Sequence, residues 1–250
     1  MTLHGEPPTH LTYEALEAVG VRHAFTTRHH GNFGGPAAPG GPFGRAPGGP
    51  ALRALGITVP EIRYARQVHG SAALVADGRR PGLVGTGDAL VTATPGAPLA
   101  IFTADCLAVI VADPERRVLA LAHVGWRGTV RGLLGPLVAT LAARFGARPK
   151  RLTAAIGPSI GPCCYEVDEP VIGPLRVAFP RDAARWAEPR GAGKWSLDLW
   201  RANTDQLVAA GVRSEAIHNA RLCTGCRGDL FYSYRREGGG LGLVALAVLD

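Results

Sequence analysis

The stretch Leu107-Ala-Val-Ile-Val-Ala-Asp-Pro-Glu-Arg-Arg-Val-Leu-Ala-Leu-Ala-His-Val124 decides the fold class. Two apolar runs, Leu107–Ala112 and Val118–Val124, flank Asp113-Pro-Glu-Arg116, a turn signal, and read as two strands of a hairpin. Just beyond them, Thr129–Phe145 carries apolar residues at 130, 133, 134, 137, 138, 141 and 145. That is helical spacing, with Thr129 as the N-cap and Gly146 past the end. Upstream, Val21–Thr27, Tyr64–Val68, Ala72–Ala76, Ala89–Thr92 and Leu99–Thr103 are short runs bounded mostly by Gly, Pro and Asp, as strands are. Downstream, Arg151–Ile156 reads as a strand, Gly157–Cys164 as a tight loop, and Glu169–Ala178 and Leu197–Ala210 as helices. Ile217–Leu222 and Leu243–Leu249 end the chain as strands. Strands with interleaved helices make the class α/β (α+β). No internal boundary stands out, so residues 1–250 are expected to form a single domain. Gly31–Pro50, with 8 Gly and 5 Pro in twenty residues, reads as a loop that holds no regular element.

Composition bounds the function. The apolar share is 46% and the charged share 19%, which excludes a fully disordered chain. No apolar run approaches the roughly 18 residues of a membrane span, and the first residues show no basic start or apolar stretch. A cytoplasmic protein is expected. The net charge is +7, and of 27 basic residues only Lys150 and Lys194 are lysine. Arginine suits phosphate and carboxylate. With no run of more than two basic residues and 6% aromatics, a nucleic-acid groove is not indicated. Five cysteines, an odd number, argue against a disulfide framework.

Cys106 and His123 are equidistant from the centre of the Asp113–Arg116 turn. A hairpin without a bulge puts them opposite each other, with β-carbons about 4.5–5.5 Å apart. His69, in Gln67-Val-His-Gly70, ends another strand. Together the three read either as a His, Cys, His metal set with an open fourth place, or as a core cysteine and two hydrogen-bonded core histidines. Gly125-Trp-Arg-Gly-Thr129 leads into a helix and suits an anion, with Arg127 and Arg131 adding charge. Tyr232-Ser-Tyr-Arg-Arg236 groups aromatics and cations that suit a base and a phosphate. Cys223-Thr-Gly-Cys226 lacks a second such pair or nearby histidines, and a passive role is expected.

Four segments, in order, carry a resemblance. Thr103-Ala-Asp-Cys-Leu107, Ala122-His-Val-Gly-Trp-Arg-Gly-Thr129, Ile156-Gly-Pro-Ser-Ile-Gly-Pro-Cys-Cys-Tyr-Glu166 and Phe231-Tyr-Ser-Tyr-Arg-Arg236 resemble the laccase-domain (YfiH-like) family, once filed as polyphenol oxidases and now read as zinc-containing purine nucleoside phosphorylases. The likeness starts near His23-Ala-Phe-Thr-Thr-Arg28. It implies mixed β-sheets sandwiched between helices. It implies His69, Cys106 and His123 as metal ligands, with zinc as the metal and copper as the alternative. It also implies phosphorolysis of adenosine, inosine, guanosine and methylthioadenosine, with adenosine deamination at the same site. Purine nucleosides and phosphate are then the small-molecule partners, with no nucleic acid or membrane. Beside Cys106 and His123, Asp105 and Glu166 are candidate acids. Arg28, Gln67, Arg127 and Arg235 are candidate substrate and phosphate ligands. One departure is Leu241-Gly-Leu243, where the family has a Thr-Gly-Arg segment.

Three other readings compete. A copper oxidase acting on phenols needs many imidazoles, whereas the chain has eight histidines and no His-x-His. A cysteine hydrolase would use Cys106 as nucleophile and His123 as base, with Asp105 nearby. A zinc-stabilised binding module would engage a partner through the Gly/Pro loop.

Overall fold

A computed structural model describes residues 1–34 and 49–250. Its centre is the expected hairpin. Leu107–Asp113 and Val118–Val124 are buried at every position, which is why their sequence runs apolar without alternation. They lie inside a six-stranded sheet ordered Ile217–Asn219, Thr153–Ile156, Leu107–Asp113, Val118–Val124, Ala89–Thr92, Ala73–Val75. A seven-stranded sheet is ordered Thr2–His4, His10–Thr12, Val21–Thr26, Leu243–Leu249, Leu99–Thr103, Arg63–Arg66, Gly82–Thr86. Both sheets mix parallel and antiparallel pairs.

The two sheets face each other. Ala108, Ile110, Leu119 and Leu121 of the hairpin pack with Leu99, Ile101, Ala245 and Ala247 of the other sheet. The opposite side of the hairpin, Val109, Val111, Val118 and Ala120, packs with Leu137, Val138 and Leu141 of the helix Leu134–Phe145 and with Ala202 and Leu207 of Leu199–Ala209. The outer side of the seven-stranded sheet is covered by the short helix Pro50–Leu55 through Ala51, Leu52 and Leu55. Helix, sheet, sheet, helix is the mixed α/β arrangement, with sheets sandwiched between helices, that the family resemblance implies.

Several expectations need correction. The strand expected over Tyr64–Val68 is Arg63–Arg66, because Gln67 leaves the ladder and uses its side-chain amide on the Phe102 backbone. The helix expected from Thr129 to Phe145 is two helices, Trp126–Val130 and Leu134–Phe145. Gly132 lies between them with φ of 64°, a left-handed conformation that a helix cannot continue through. Thr129 is therefore not an N-cap; it is buried inside the first helix and donates its hydroxyl to the Gly125 carbonyl at 3.1 Å. Gly146 does close the second helix, with φ of 69°. Tyr234–Glu237 forms a short helix. A three-stranded sheet of Glu166–Asp168, Lys194–Leu197 and Ala187–Gly191 was not foreseen. Most of the Gly31–Pro50 segment lies outside the described residues.

The hairpin register also differs. His123 pairs with Ala108, and Val124 with Leu107. The connection is residues 114–117, one position later than expected, and Arg117 takes the left-handed conformation with φ of 49°. Cys106 is thus two residues beyond the partner of His123 rather than opposite it. An even offset keeps the same face of a pleated strand, so the predicted meeting survives the wrong register.

Candidate metal centre

His69, Cys106 and His123 converge, with their ligand atoms all within 4.8 Å of one another. Three separate pieces of chain deliver them. His123 stands at the end of the Val118–Val124 strand. Cys106 sits just before Leu107, after Asp105, whose φ of 82° turns the backbone off the strand. His69 sits in the loop after Arg63–Arg66, itself left-handed with φ of 56°. Two non-glycine residues held in this sparsely populated region beside one cluster are strain of the kind that functional sites store.

Asp88, which sequence reading missed, organises the cluster. It is fully buried at the start of the Ala89–Thr92 strand. Its Oδ1 accepts from the His69 N–H at 2.9 Å, and its Oδ2 from the Val68 and Gly70 N–H groups at 3.2 and 2.7 Å. Oδ1 also meets His123 Nδ1 at 2.9 Å. A carboxylate there requires the proton on Nδ1, which leaves Nε2 as the free lone pair for a metal. Arg131 donates to the His69 carbonyl, so this cation fixes the loop rather than an anion.

Cys106 Sγ lies 3.9 Å from His69 Nε2, and the two imidazole rings cross at 80° with centroids 4.8 Å apart. A β-carbon on Gly125 would fall 2.7 Å from Cys106 Sγ and 3.3 Å from His69 Cδ2. Glycine is needed there for the sulfur to approach. Burial would raise the Cys106 thiol, but the His123 charge and hydrogen bond, aided by His69, hold it at about 6. Burial would lower His123, but the Cys106 thiolate and Asp88 raise it to about 9. Burial would raise Asp88, and its hydrogen bonds from His123 and the loop hold it below the usual carboxylate range. A metal would displace the Nε2 proton of His123, and the resulting two neutral imidazoles and one thiolate fit a borderline-soft divalent ion.

The cluster lies in the wall of a cavity of about 560 Å³, within the usual range for small-molecule sites, roughly 300–1,000 Å³. Trp126, Tyr165 and Tyr234 supply aromatic surface to it, and Arg127 and Arg235 supply positive charge. Arg127 lies over the Trp126 ring at 4.3 Å, and Arg235 over the Tyr165 ring at 5.1 Å.

The structure separates the remaining candidates. Asp105 lines the cavity, but both its oxygens are occupied. Oδ1 accepts from the Thr224 hydroxyl at 2.6 Å, and Oδ2 from the Arg235 N–H at 2.7 Å. Gln67 lines it too, with its amide spent on Phe102 at 2.7 and 2.8 Å. Glu166 is exposed and absent from the lining; its backbone carbonyl accepts from the Arg235 guanidinium. Arg28 is absent as well. It pairs with Glu237 and lies 4.7 Å over Tyr232, because the chain turns away after Val21–Thr26. Sequence order placed Arg28 and Glu166 near the motifs, and their side chains point elsewhere. Leu241 occupies part of the lining. Cys223 and Cys226, for which a passive role is expected, lie against Cys163 and Cys164.

No helix among the described residues is long and apolar enough to cross a membrane. A family model described as multi-copper polyphenol oxidoreductase laccase matches residues 50–249. A purine nucleoside phosphorylase from Deinococcus radiodurans is 41% identical over 232 residues, covering 90% of this chain and 87% of that protein. The purine nucleoside phosphorylase YlmD from Geobacillus stearothermophilus is 40% identical over 155 residues, 62% of this chain, and the matched stretch spans only 57% of YlmD. The crystal structure of YlmD from that organism superposes with a TM-score of 0.86 at 30% identity, over 99% of this chain and 98% of the other. An adenosine deaminase, RL5, from an unknown prokaryotic organism is 34% identical over 193 residues, 74% of this chain and 73% of the relative. With a model match over most of its length and these relatives beside it, the chain belongs to the laccase-like family to which YfiH and YlmD are structural neighbours.

Proposed function

We propose that this chain is a zinc-dependent purine nucleoside phosphorylase that also deaminates adenosine. The observation that carries the proposal is the convergence of His69, Cys106 and His123 at a cavity with aromatic surface and two arginines. The names of the Deinococcus, Geobacillus and RL5 relatives supply the reaction class.

Trp126, Tyr165 and Tyr234 offer ring faces to a purine. Arg127 and Arg235 offer guanidinium groups to phosphate. Asp88 holds His123 in the tautomer that turns Nε2 toward the cluster. Asp105 orients the wall by accepting from Thr224 and Arg235. Tyr165 lines the cavity and burial raises its phenol, so a protonated hydroxyl is kept there as a hydrogen-bond donor. His69, Cys106 and His123 would hold the metal, which would supply Lewis acidity toward a substrate oxygen.

Zinc is favoured over a multicopper centre because such a centre needs clustered imidazoles, and of eight histidines only His69 and His123 line the cavity.

One alternative has an observation of its own. Cys106 held at about 6, beside His123 oriented by Asp88, is the order of groups in a cysteine hydrolase. His69, converging on the same sulfur, is superfluous to that chemistry. The test is incubation of the zinc-loaded protein with adenosine, with and without phosphate, followed by product separation. Phosphate-dependent adenine with ribose 1-phosphate supports phosphorolysis, and inosine supports deamination. Neither product from protein carrying its full metal complement refutes the proposal.

A further inference from the structure

Apart from the cavity cluster, four cysteines from two loops meet at one point. Cys163 and Cys164 end the loop that follows the strand Thr153–Ile156. Cys223 and Cys226 come from Cys223-Thr-Gly-Cys226. Cys163 Sγ and Cys164 Sγ lie 3.3 and 3.4 Å from Cys226 Sγ, and all four sulfurs lie within 4.8 Å of one another. All four are free thiols. Sulfurs bound tetrahedrally at about 2.3 Å from zinc sit about 3.8 Å apart, so the spread brackets that of a metal tetrahedron. Disulfides would need sulfur pairs at about 2.05 Å.

We propose that Cys163, Cys164, Cys223 and Cys226 form a second, closed metal site that holds a zinc ion and staples the two loops together.

The surroundings are built for close thiolate packing. A β-carbon on Gly225 would fall 2.9 Å from Cys164 Cβ and 3.0 Å from its Sγ, so glycine lets the two loops close. The Gly161 N–H donates to Cys223 Sγ at 3.2 Å, a donor that stabilises a thiolate. The Arg236 guanidinium donates to the Gly225 carbonyl and places positive charge beside the cluster. The loops are already laced by Ser159 N–H to the Leu222 carbonyl at 3.2 Å and Thr224 N–H to the Ser159 carbonyl at 3.1 Å.

Plain core packing explains the cluster poorly, because Cys163 and Cys226 are exposed, whereas unliganded cysteines are among the most buried residues. Four thiolates with no vacant place are the donor set of a structural site, unlike the three-donor set in the cavity wall. On binding, each thiol that carries a proton releases it to solvent as its sulfur–metal bond forms. The ion would brace the cavity. Tyr165 follows Cys164 and lines it, and the Thr224 hydroxyl holds Asp105, next to Cys106.

The test uses full-length Cys106→Ala, which removes the cavity thiolate, titrated with cobalt(II). One equivalent should bind with thiolate-to-cobalt charge transfer and the intense visible bands of a tetrahedral site, and zinc should displace it. Cys106→Ala/Cys226→Ser should lose those bands. The unsubstituted protein should carry two zinc ions per chain, and Cys226→Ser one. Should the serine variants fail to fold, thiol reactivity decides. Zinc should protect all four cysteines of the unsubstituted protein from a disulfide reagent, and chelation should expose them. A bandless cobalt titration of folded Cys106→Ala, or Cys163 and Cys226 reacting equally fast with and without zinc, overturns the proposal. Loss of nucleoside turnover in Cys106→Ala bears on the cavity site alone.

Discussion

Replacing Asp88 by Asn keeps the side-chain shape and removes one acceptor. Asp88 faces four N–H groups: His69 and His123 on Oδ1, Val68 and Gly70 on Oδ2. An asparagine has one carbonyl oxygen, so its NH2 must face one of the two pairs. Facing Val68 and Gly70, it leaves two donors unpaired at about 1–3 kcal/mol each, and the His69 loop loosens. Facing His123, it asks Nδ1 to accept, which moves the ring proton to Nε2 and removes that lone pair from the metal. Either way, affinity at the cavity site should fall about 10–100-fold, roughly 1.4–2.7 kcal/mol. Competition with a chromophoric chelator measures it, with the Cys163–Cys226 sulfurs as an internal reference. An Asp88→Asn variant that holds cavity zinc within twofold of the unsubstituted protein would refute the assignment of Asp88 as the residue orienting His123 and the His69 loop.

Other outcomes follow from the same geometry. Gly125→Ala has an ordinary backbone conformation for alanine (φ of −87°) but places a β-carbon 2.7 Å from Cys106 Sγ. It should keep the fold by circular dichroism and weaken cavity zinc about tenfold or more, since overpacking costs about 1–3 kcal/mol. Thr129→Val removes the hydroxyl that donates to the Gly125 carbonyl and accepts from Asn203 at 3.0 Å. It should cost about 1–3 kcal/mol in denaturant unfolding, and an unchanged midpoint would contradict this. In metal-stripped protein the Cys106 thiol is lowered to about 6. Its thiolate is then present above that pH and lost below it. Alkylation of Cys106 should be half-maximal near pH 6, instead of the about 8.5 of a free thiol, and zinc should suppress it.

The central hairpin and the buried strands were legible because their evidence is local. Leu107–Asp113, Val118–Val124 and Leu243–Leu249 carry apolar side chains on both faces, and chain-local turns bound them. The break at Gly132 was not legible, because residues 130, 133 and 134 keep helical spacing across it and only the conformation shows the interruption. The loop runs over residues 114–117, one position later than expected, which shifts the pairing by two residues, and that even offset preserved the meeting of Cys106 and His123. Asp88 left no signal beyond a carboxylate after a glycine, since its partners lie 18 to 35 residues away. The four-cysteine cluster escaped notice because Cys163 and Cys164 are adjacent, without the two-to-four-residue spacer of common zinc motifs. Only folding brings them to Cys226.

Anomalous diffraction at the zinc edge from crystals grown with zinc tests the central claim most directly. A peak should lie about 2.0–2.3 Å from His69, Cys106 and His123 Nε2, with its fourth position opening into the cavity beside Trp126 and Tyr165. No peak there, or a peak closed off by a fourth protein side chain, would contradict the account.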